Sequence, residues 1–537
     1  MKQQDEKIDR KGFPDMKNIV FDISNIQELL EKNCVYVDKT KYIHQMVSGA
    51  GKCYFLSRPR RFGKSLTVST LKAIFQGKKE LFNGLYIGNT DYDWETYPVI
   101  HLTMNAMNAA TLEDLETVIA VSLRNCAENE FGLILKSPDI PHLLFCELVE
   151  TLGKKEQVVV LIDEYDKPLL DHIGDPEFPK YLAFFKNFYG IVKACIDYER
   201  FVFITGASKF SHVSLFSDLN NLMDISHNSE YATMLGYTQE ELEAHFGDRI
   251  EEIASSKNMT VPDLKEKIRK WYNGFHFEEN APTVYNPVSI AQFFSNSGKF
   301  SNYWFSTGTP TYLFKTLQAD RFTLMNDLEK KVYSSDVFDA WEPGRIASAS
   351  LFLQAGYLTI KEPAECMGEP GFTIGFPNYE VEQSFRKAFI KVFAATSGGV
   401  SYVQAMYEDM VNQNPEQLAT DTESFFSGVS YEDHHKDEYV FKAIFANMFK
   451  FIGLNVHTEE HTIKGRMDAV VQMPCAVYIF EFKLQGRGNA LQQIKEKGYH
   501  VKYLASRLPV YIIGCTFNSD DCTMTNWQYE KVDSSLL

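Results

Sequence analysis

Apolar residues along this chain fall into two patterns. Short unbroken runs recur through the first 210 positions: CYFLS (53–57), YPVIHLTM (97–104), QVVVLIDEYD (157–166) and RFVFITGAS (200–208). Between them stand segments with helical spacing, such as SLTVSTLKAIF (65–75) and the aromatic FFKNFYGIVKACI (184–196), which reads as core. Runs with no polar alternation suit strands buried on both faces, so the expected fold is α/β, a doubly wound parallel sheet covered by helices. From about 211 to 395 the pattern turns helical, with polar loops SSKNMTVPD, WEPGR and KEPAECMGEPGF, and reads as a helical lid and connector. After the acidic SYEDHHKD (430–437) come a helix (439–453), strands RMDAVVQM and AVYIFEFKL, a helix ALQQIKEKGYHVKYLA and a strand PVYIIGCTF. That series predicts a second, small mixed-sheet α/β domain. The expected divisions are 14–230, 231–400, an acidic linker 401–437, and 438–537. No repeat of fixed period interrupts this plan.

Charge refines the picture. The 537 residues carry 54 basic and 71 acidic side chains, a net charge of -17, with a mean hydropathy of -0.25. A protein that coats nucleic acid along its whole surface is excluded, but local basic ground is not. Residues 50–80 hold eight Lys or Arg against Glu80, and residues 438–507 hold ten against six acids, whereas 401–437 is acidic. No run reaches the ~18 apolar residues of a membrane helix. The start, MKQQDEKIDRKGF, lacks the apolar core of a secretory signal. Nine scattered cysteines without a CxxC pair argue against a disulfide framework, so a reducing cytosol is the expected, cytoplasmic compartment.

Two stretches carry chemistry. Arg58-Pro-Arg60-Arg61-Phe62-Gly63-Lys64-Ser65 follows a strand and opens a helix, the setting of a Walker A loop. Backbone N–H groups of such a loop point at phosphate oxygens, with the helix N-terminus adding positive potential. Lys64 is then expected to reach the β- and γ-phosphates of ATP and Ser65 to bind Mg²⁺. One departure stands out: Arg58 occupies the place of the first glycine. The run 158–162 ends in Asp163-Glu164, a Walker B strand in which Asp163 holds Mg²⁺ and Glu164 polarises the attacking water. Thr205 and Lys209, after the next strand, stand where a γ-phosphate sensor belongs. Together RPRRFGKS, LIDEYDKP, ITGASKF, NNLMDIS, WYNGFHF with YNP, and YWFSTGTP resemble the AAA-ATPase-like proteins of bacteria over about residues 14–380. The resemblance implies a P-loop ATPase fold and an ATP site, with an arginine in place of the first glycine as the usual form.

Near the C-terminus, Asp468 sits in GRMD and Glu481-x-Lys483 ends the next strand. Residues two apart on a strand share a face, so Glu481 and Lys483 project together and Asp468 on the adjacent strand meets them. Two carboxylates and a backbone carbonyl form an oxygen-rich Mg²⁺ site suited to phosphodiester hydrolysis, with Lys483 holding phosphate or nucleophile. Glu438 and Gln493 complete a set that resembles the PD-(D/E)XK nuclease superfamily. That resemblance implies catalytic roles for Asp468, Glu481 and Lys483 and a nucleic-acid partner, DNA first. The expectation is an ATPase fused to a Mg²⁺-dependent nuclease. The alternative is an ATP-switched protein that grips nucleic acid or a partner without cutting, and a third reading makes the tail a homo-oligomerisation domain. His457-Thr-Glu-Glu460-His461 matches an inverted zinc-peptidase spacing but lies in a segment that reads as strand and turn, not helix.

Overall fold

The computed structural model describes residues 16–107, 109–173, 175–209, 215, 221–304, 331–334, 348–366, 368–393, 399–427, 444–446, 448–450, 454–462, 465–518 and 523–532. They fall into two compact units, 16–304 with 331–380, and 381–532.

The first unit is built on a parallel sheet of β1 (Cys53–Ser57), β2 (Val99–Thr103), β3 (Val158–Asp163), β4 (Glu199–Gly206) and β5 (Leu222–Asp224), in the order β2-β3-β4-β1-β5. Every residue of β1 and β3 is buried, as the unbroken apolar runs require of a sheet covered on both faces. Helix Lys64–Phe75 follows β1 and buries Val68, Leu71, Ile74 and Phe75. Helix Phe178–Ala194 is core, with Phe188 stacked on Phe145 of helix Pro141–Gly153 at 5.2 Å. In this strand order β4 separates β1 from β3, so the loop leaving β1 and the acids ending β3 share the carboxyl edge of the sheet, one strand apart.

The segment expected to be helical is so in part. Helix Gln239–Ser256 starts on a capping box between Thr238 and Glu241, and with helices Val261–Tyr272 and Pro287–Ser295 it encloses an apolar core that includes Phe246, Ile250, Ile268, Tyr272 and Phe293. The stretch KEPAECMGEPGF, expected to be a polar loop, is a hairpin. Strands β6 (Val332–Ser334), β7 (Thr359–Cys366) and β8 (Glu369–Gly375) form an antiparallel sheet in the order β6-β8-β7. Pro363 is tolerated because β7 is an edge strand whose register shifts between Ile360 and Pro363, and Gly368, at φ 85°, turns the hairpin.

The second unit holds a mixed sheet of β9 (Asn455–Thr462), β10 (Gly465–Gln472), β11 (Val477–Leu484), β12 (Val510–Phe517) and β13 (Met524–Val532), ordered β13-β12-β11-β10-β9. Only β11 and β12 run parallel, joined through helix Ala490–Lys497. The helix expected over 490–505 breaks at Gly498, a left-handed C-cap at φ 64°, before a short turn Val501–Leu504. Residues 399–427, in the stretch read as an acidic linker, form helices Gly399–Val411 and Pro415–Ser427 that belong to this unit. They are tied to the sheet by Tyr478 Oη donating to the Met410 carbonyl at 2.6 Å and by Phe426 packing on Phe517. The segment with the peptidase-like spacing is strand β9. Among the described residues no helix is long and apolar enough to cross a membrane.

Glu380 closes the first unit in an unusual state. Fully buried, it accepts the Trp304 N–H and the Ser289 hydroxyl, each at 2.7 Å, and burial pushes its carboxyl up to about 7. The folded protein therefore binds this proton more tightly than the unfolded chain, so stability is lost as pH rises from about 4.5 through about 7. Chemical denaturation across that window is expected to show Glu380→Gln losing less stability than the parent chain. Parallel curves for the two proteins would refute this.

Candidate active sites

The phosphate loop is shaped by where its side chains go. Arg58 does not project toward solvent. It is 1% exposed, donates to the carbonyls of Ser57, Ser226 and Tyr231, and stacks over the Phe277 ring at 4.1 Å. Burial lowers its pKa to about 9, with Asp224 opposing the shift. The backbone at 58 has no positive φ. That burden falls on Arg61, at 68°, and Gly63, at 94°, so the first glycine of the common pattern is not needed here. Gly63 is also the N-cap of helix Lys64–Phe75, and a Cβ there would meet nothing within 4 Å, although the φ disfavours one.

The motifs after residue 270 hold this loop from outside. Asn286 Nδ2 donates to the Arg61 carbonyl at 3.2 Å and Trp304 Nε1 to that of Arg60 at 3.3 Å. Phe62 is buried edge-on against Phe275 and Phe277, at 4.9 and 5.3 Å. In the sequence, WYNGFHF, YNP and the YW that opens YWFSTGTP carry the family resemblance and no task of their own. They brace the loop.

Lys64 folds back over the loop, its ammonium donating to the Arg58 and Pro59 carbonyls at 2.9 and 3.0 Å. Burial lowers its pKa, while the charges of Asp163, Asp166 and Glu164 oppose the shift. Ser65, Asp163 and Glu164 line one polar cleft of about 520 Å³, together with Ser69, His101 and Thr103. Burial, and then Asp163, raise the Glu164 carboxyl. Ser65 in the first turn of a helix and two acids at a strand end, around one cleft, fit a nucleotide phosphate with Mg²⁺, although Lys64 and loop residues 58–63 do not line that cleft. Thr205 and Lys209 do not line that cleft. The Thr205 hydroxyl donates to the Leu56 carbonyl at 2.7 Å, and Lys209 pairs with Asp224 at 2.7 Å. Asp166, which sequence reasoning missed, accepts from the Ala207 and Ser208 N–H groups at 3.0 and 2.7 Å and so ties the ends of β3 and β4 together. A Cβ on Gly206 would strike that carboxylate at 2.4 Å.

In the second unit the register pairs Ala469 with Phe480 and Val470 with Ile479, which puts Asp468 across from Glu481 on one face. Asp468 is 6% and Glu481 1% exposed. Asp468 Oδ2 accepts the Phe482 N–H at 2.8 Å, and Lys483 Nζ lies 3.6 Å from Glu481 Oε1. Gln493 reaches the same carboxylate oxygen with its amide. The structure thus gathers Asp468, Glu481, Lys483 and Gln493 in one place. Glu438 lies outside the described residues. What delivers Gln493 is Gly514, which pairs with Glu481 in the β11–β12 ladder. A Cβ on Gly514 would come within 2.4 Å of the Leu491 nitrogen, so only glycine lets helix Ala490–Lys497 press onto the strand here. Two buried carboxylates side by side are costly unless a cation compensates them, and an oxygen donor set of this kind fits a hard divalent ion such as Mg²⁺.

Comparison with known proteins agrees with this layout. Residues 21–216 match the family described as "Predicted AAA-ATPase", and residues 436–527 match the PD-(D/E)XK nuclease superfamily. The chain is 35% identical over 511 residues to an "Uncharacterized protein in vnfD 5'region" of Azotobacter chroococcum mcd 1, covering 93% of this chain and 95% of that protein.

Gly514→Ala is expected to cost ~1–3 kcal/mol in chemical denaturation, because helix Ala490–Lys497 must move off β12. A variant of unchanged stability would contradict this close approach.

Proposed function

The chain belongs to the AAA-ATPase-like family and ends in a domain of the PD-(D/E)XK nuclease superfamily, and from that premise we propose that it is a nucleotide-controlled nuclease that cleaves DNA with Mg²⁺. The observation that carries the reading is the meeting of Asp468, Glu481, Lys483 and Gln493 on one face where β10 and β11 lie side by side. A divalent ion held there supplies an acidified water and charge stabilisation for a scissile phosphate. Asp468 and Glu481 would hold it. Lys483 holds a phosphate oxygen or the attacking water from the same face. Gln493 fixes the rotamer of Glu481, the part an orienting outer-shell residue plays. Hydrolysis joins the water oxygen to phosphorus, breaks the bond to the leaving sugar oxygen, and returns a proton to that oxygen.

Charge favours a polyanionic substrate. Apart from Glu438, Asp468 and Glu481 themselves, residues 438–507 keep ten basic side chains against three acidic ones. In the first unit Lys64 would contact the β- and γ-phosphates of ATP, Ser65 and Asp163 would hold Mg²⁺, and Glu164 would orient water, with loop N–H groups of residues 60–65 around the phosphates. Two such sites on one chain support a switch in which nucleotide governs cutting, a combination suited to defence or the control of mobile DNA.

The test incubates supercoiled and linear DNA with Mg²⁺, with and without ATP. The parent protein is expected to nick or linearise DNA, Glu481→Ala to lose the activity, and Gln493→Ala to lose ~10–100-fold. Lys64→Ala is expected to keep the cutting site while losing its response to ATP. Cutting that persists unchanged in Glu481→Ala would refute the nuclease. Tight DNA binding with no turnover in Mg²⁺ or Mn²⁺ would replace it with a nucleotide-switched gripping protein.

A further inference from the structure

Another group of side chains able to hold a metal lies in the first unit, at the end of the sheet opposite the phosphate loop. Cys146 and Glu150, one helical turn apart on helix Pro141–Gly153, share a face. Cys195 is the C-cap of helix Phe178–Ala194 and faces them. The Cys146 and Cys195 sulfurs are 3.7 Å apart, Cys146 Sγ is 3.7 Å from Glu150 Oε1, and all three donor atoms lie within 4.8 Å of one another. Two thiolates on a tetrahedral zinc at ~2.3 Å would stand ~3.8 Å apart, and a thiolate and a carboxylate oxygen ~3.6 Å apart. The two distances from the Cys146 sulfur match those edges, and the third donor pair lies within 4.8 Å.

We propose that Cys146, Cys195 and Glu150 bind a zinc ion that clamps helix Pro141–Gly153 to the end of helix Phe178–Ala194.

A second observation points the same way. Glu199, four residues beyond Cys195 at the start of β4, is fully buried, and among the described residues neither of its carboxylate oxygens has a hydrogen-bond partner. Burial holds its carboxyl up to about 8, and its charge is felt at the Cys195 thiol. A buried acid near the Cys195 thiol is costly in its charged form; Lys52 offsets part of that cost, and a cation held at Cys195 would offset more. Cys146 and Glu150 are half-buried, which gives an ion a way in. The second Glu150 oxygen is taken by Lys154 at 3.5 Å, leaving Oε1 for the site. Because the strands are parallel, β4 begins at the edge of the sheet opposite the phosphate loop, so this is a structural site rather than part of the nucleotide cleft. Zinc binding releases the two thiol protons to solvent, with no change of oxidation state.

The experiment uses the full-length protein, purified in thiol reductant without chelator, and measures zinc per chain. An Asp468→Asn/Glu481→Gln double variant in parallel removes any contribution of the C-terminal carboxylates. About one zinc per chain is expected in both proteins, and it is lost in Cys146→Ser/Cys195→Ser. Should the serine variant fail to fold, X-ray absorption on the unmutated protein decides: two sulfur ligands support the site, as does a thiolate-to-cobalt charge-transfer band after Co²⁺ exchange. Absence of zinc, zinc with nitrogen and oxygen ligands alone, or a mass deficit of two hydrogens from a Cys146–Cys195 disulfide would each overturn it.

Discussion

Two carboxylates, Asp468 and Glu481, are buried on neighbouring strands of one sheet, and the second unit is arranged around that electrostatic cost. A buried carboxylate without compensation would take up a proton or disrupt the packing. Here the compensation is assembled from every side. The Phe482 N–H serves Asp468, the Gln493 amide and the Lys483 ammonium serve Glu481, and Gly514 yields the space that brings helix Ala490–Lys497 close enough to do so. The opposite face of β11 carries Phe480 and Phe482, packed against Phe445, so the strand itself is anchored in core while its acid and its lysine face the site. A divalent cation held there would complete the balance that these contacts begin.

The first unit solves a related problem with the opposite sign. Its phosphate loop concentrates Arg58, Arg60, Arg61 and Lys64 within seven residues, a density that would repel itself if all four projected into one cavity. Arg58 is withdrawn into the core against carbonyls and the Phe277 face, and Lys64 stays near the loop carbonyls under the influence of Asp163, Asp166 and Glu164. The backbone between them is fixed from outside by Asn286, Trp304 and the Phe62 cluster. Such bracing holds the loop backbone in one conformation.

The sequence made the central strands legible because burial on both faces forces unbroken apolar runs, as in VVVLID of β3 and VYIFEF of β11. The acids ending those strands and the glycine-lysine pair were legible for the same reason: each sits at a fixed offset from a recognisable strand. What escaped were features decided by tertiary contact. The β7–β8 hairpin is written in prolines and glycines and looked like a loop, and β5 is three residues long at a sheet edge. β13 alternates polar residues along an outer strand, so no apolar run marks it. Arg58 reads as a defect in the phosphate motif until its buried partners are seen. Gly514 inside a strand was a readable hint of close backbone approach, while the bracing roles of Asp166, Asn286 and Trp304 had no local signal at all.

The account stands or falls on whether Asp468 and Glu481 share one ion. Crystals of the full-length protein soaked in Mn²⁺ and measured at the manganese absorption edge address this directly. The account predicts a single anomalous peak within coordination distance of both carboxylates, with Lys483 beside it and outside its ligand shell. Well-ordered carboxylates with no peak between them, or a Lys483 ammonium lodged where the ion should be, would contradict it.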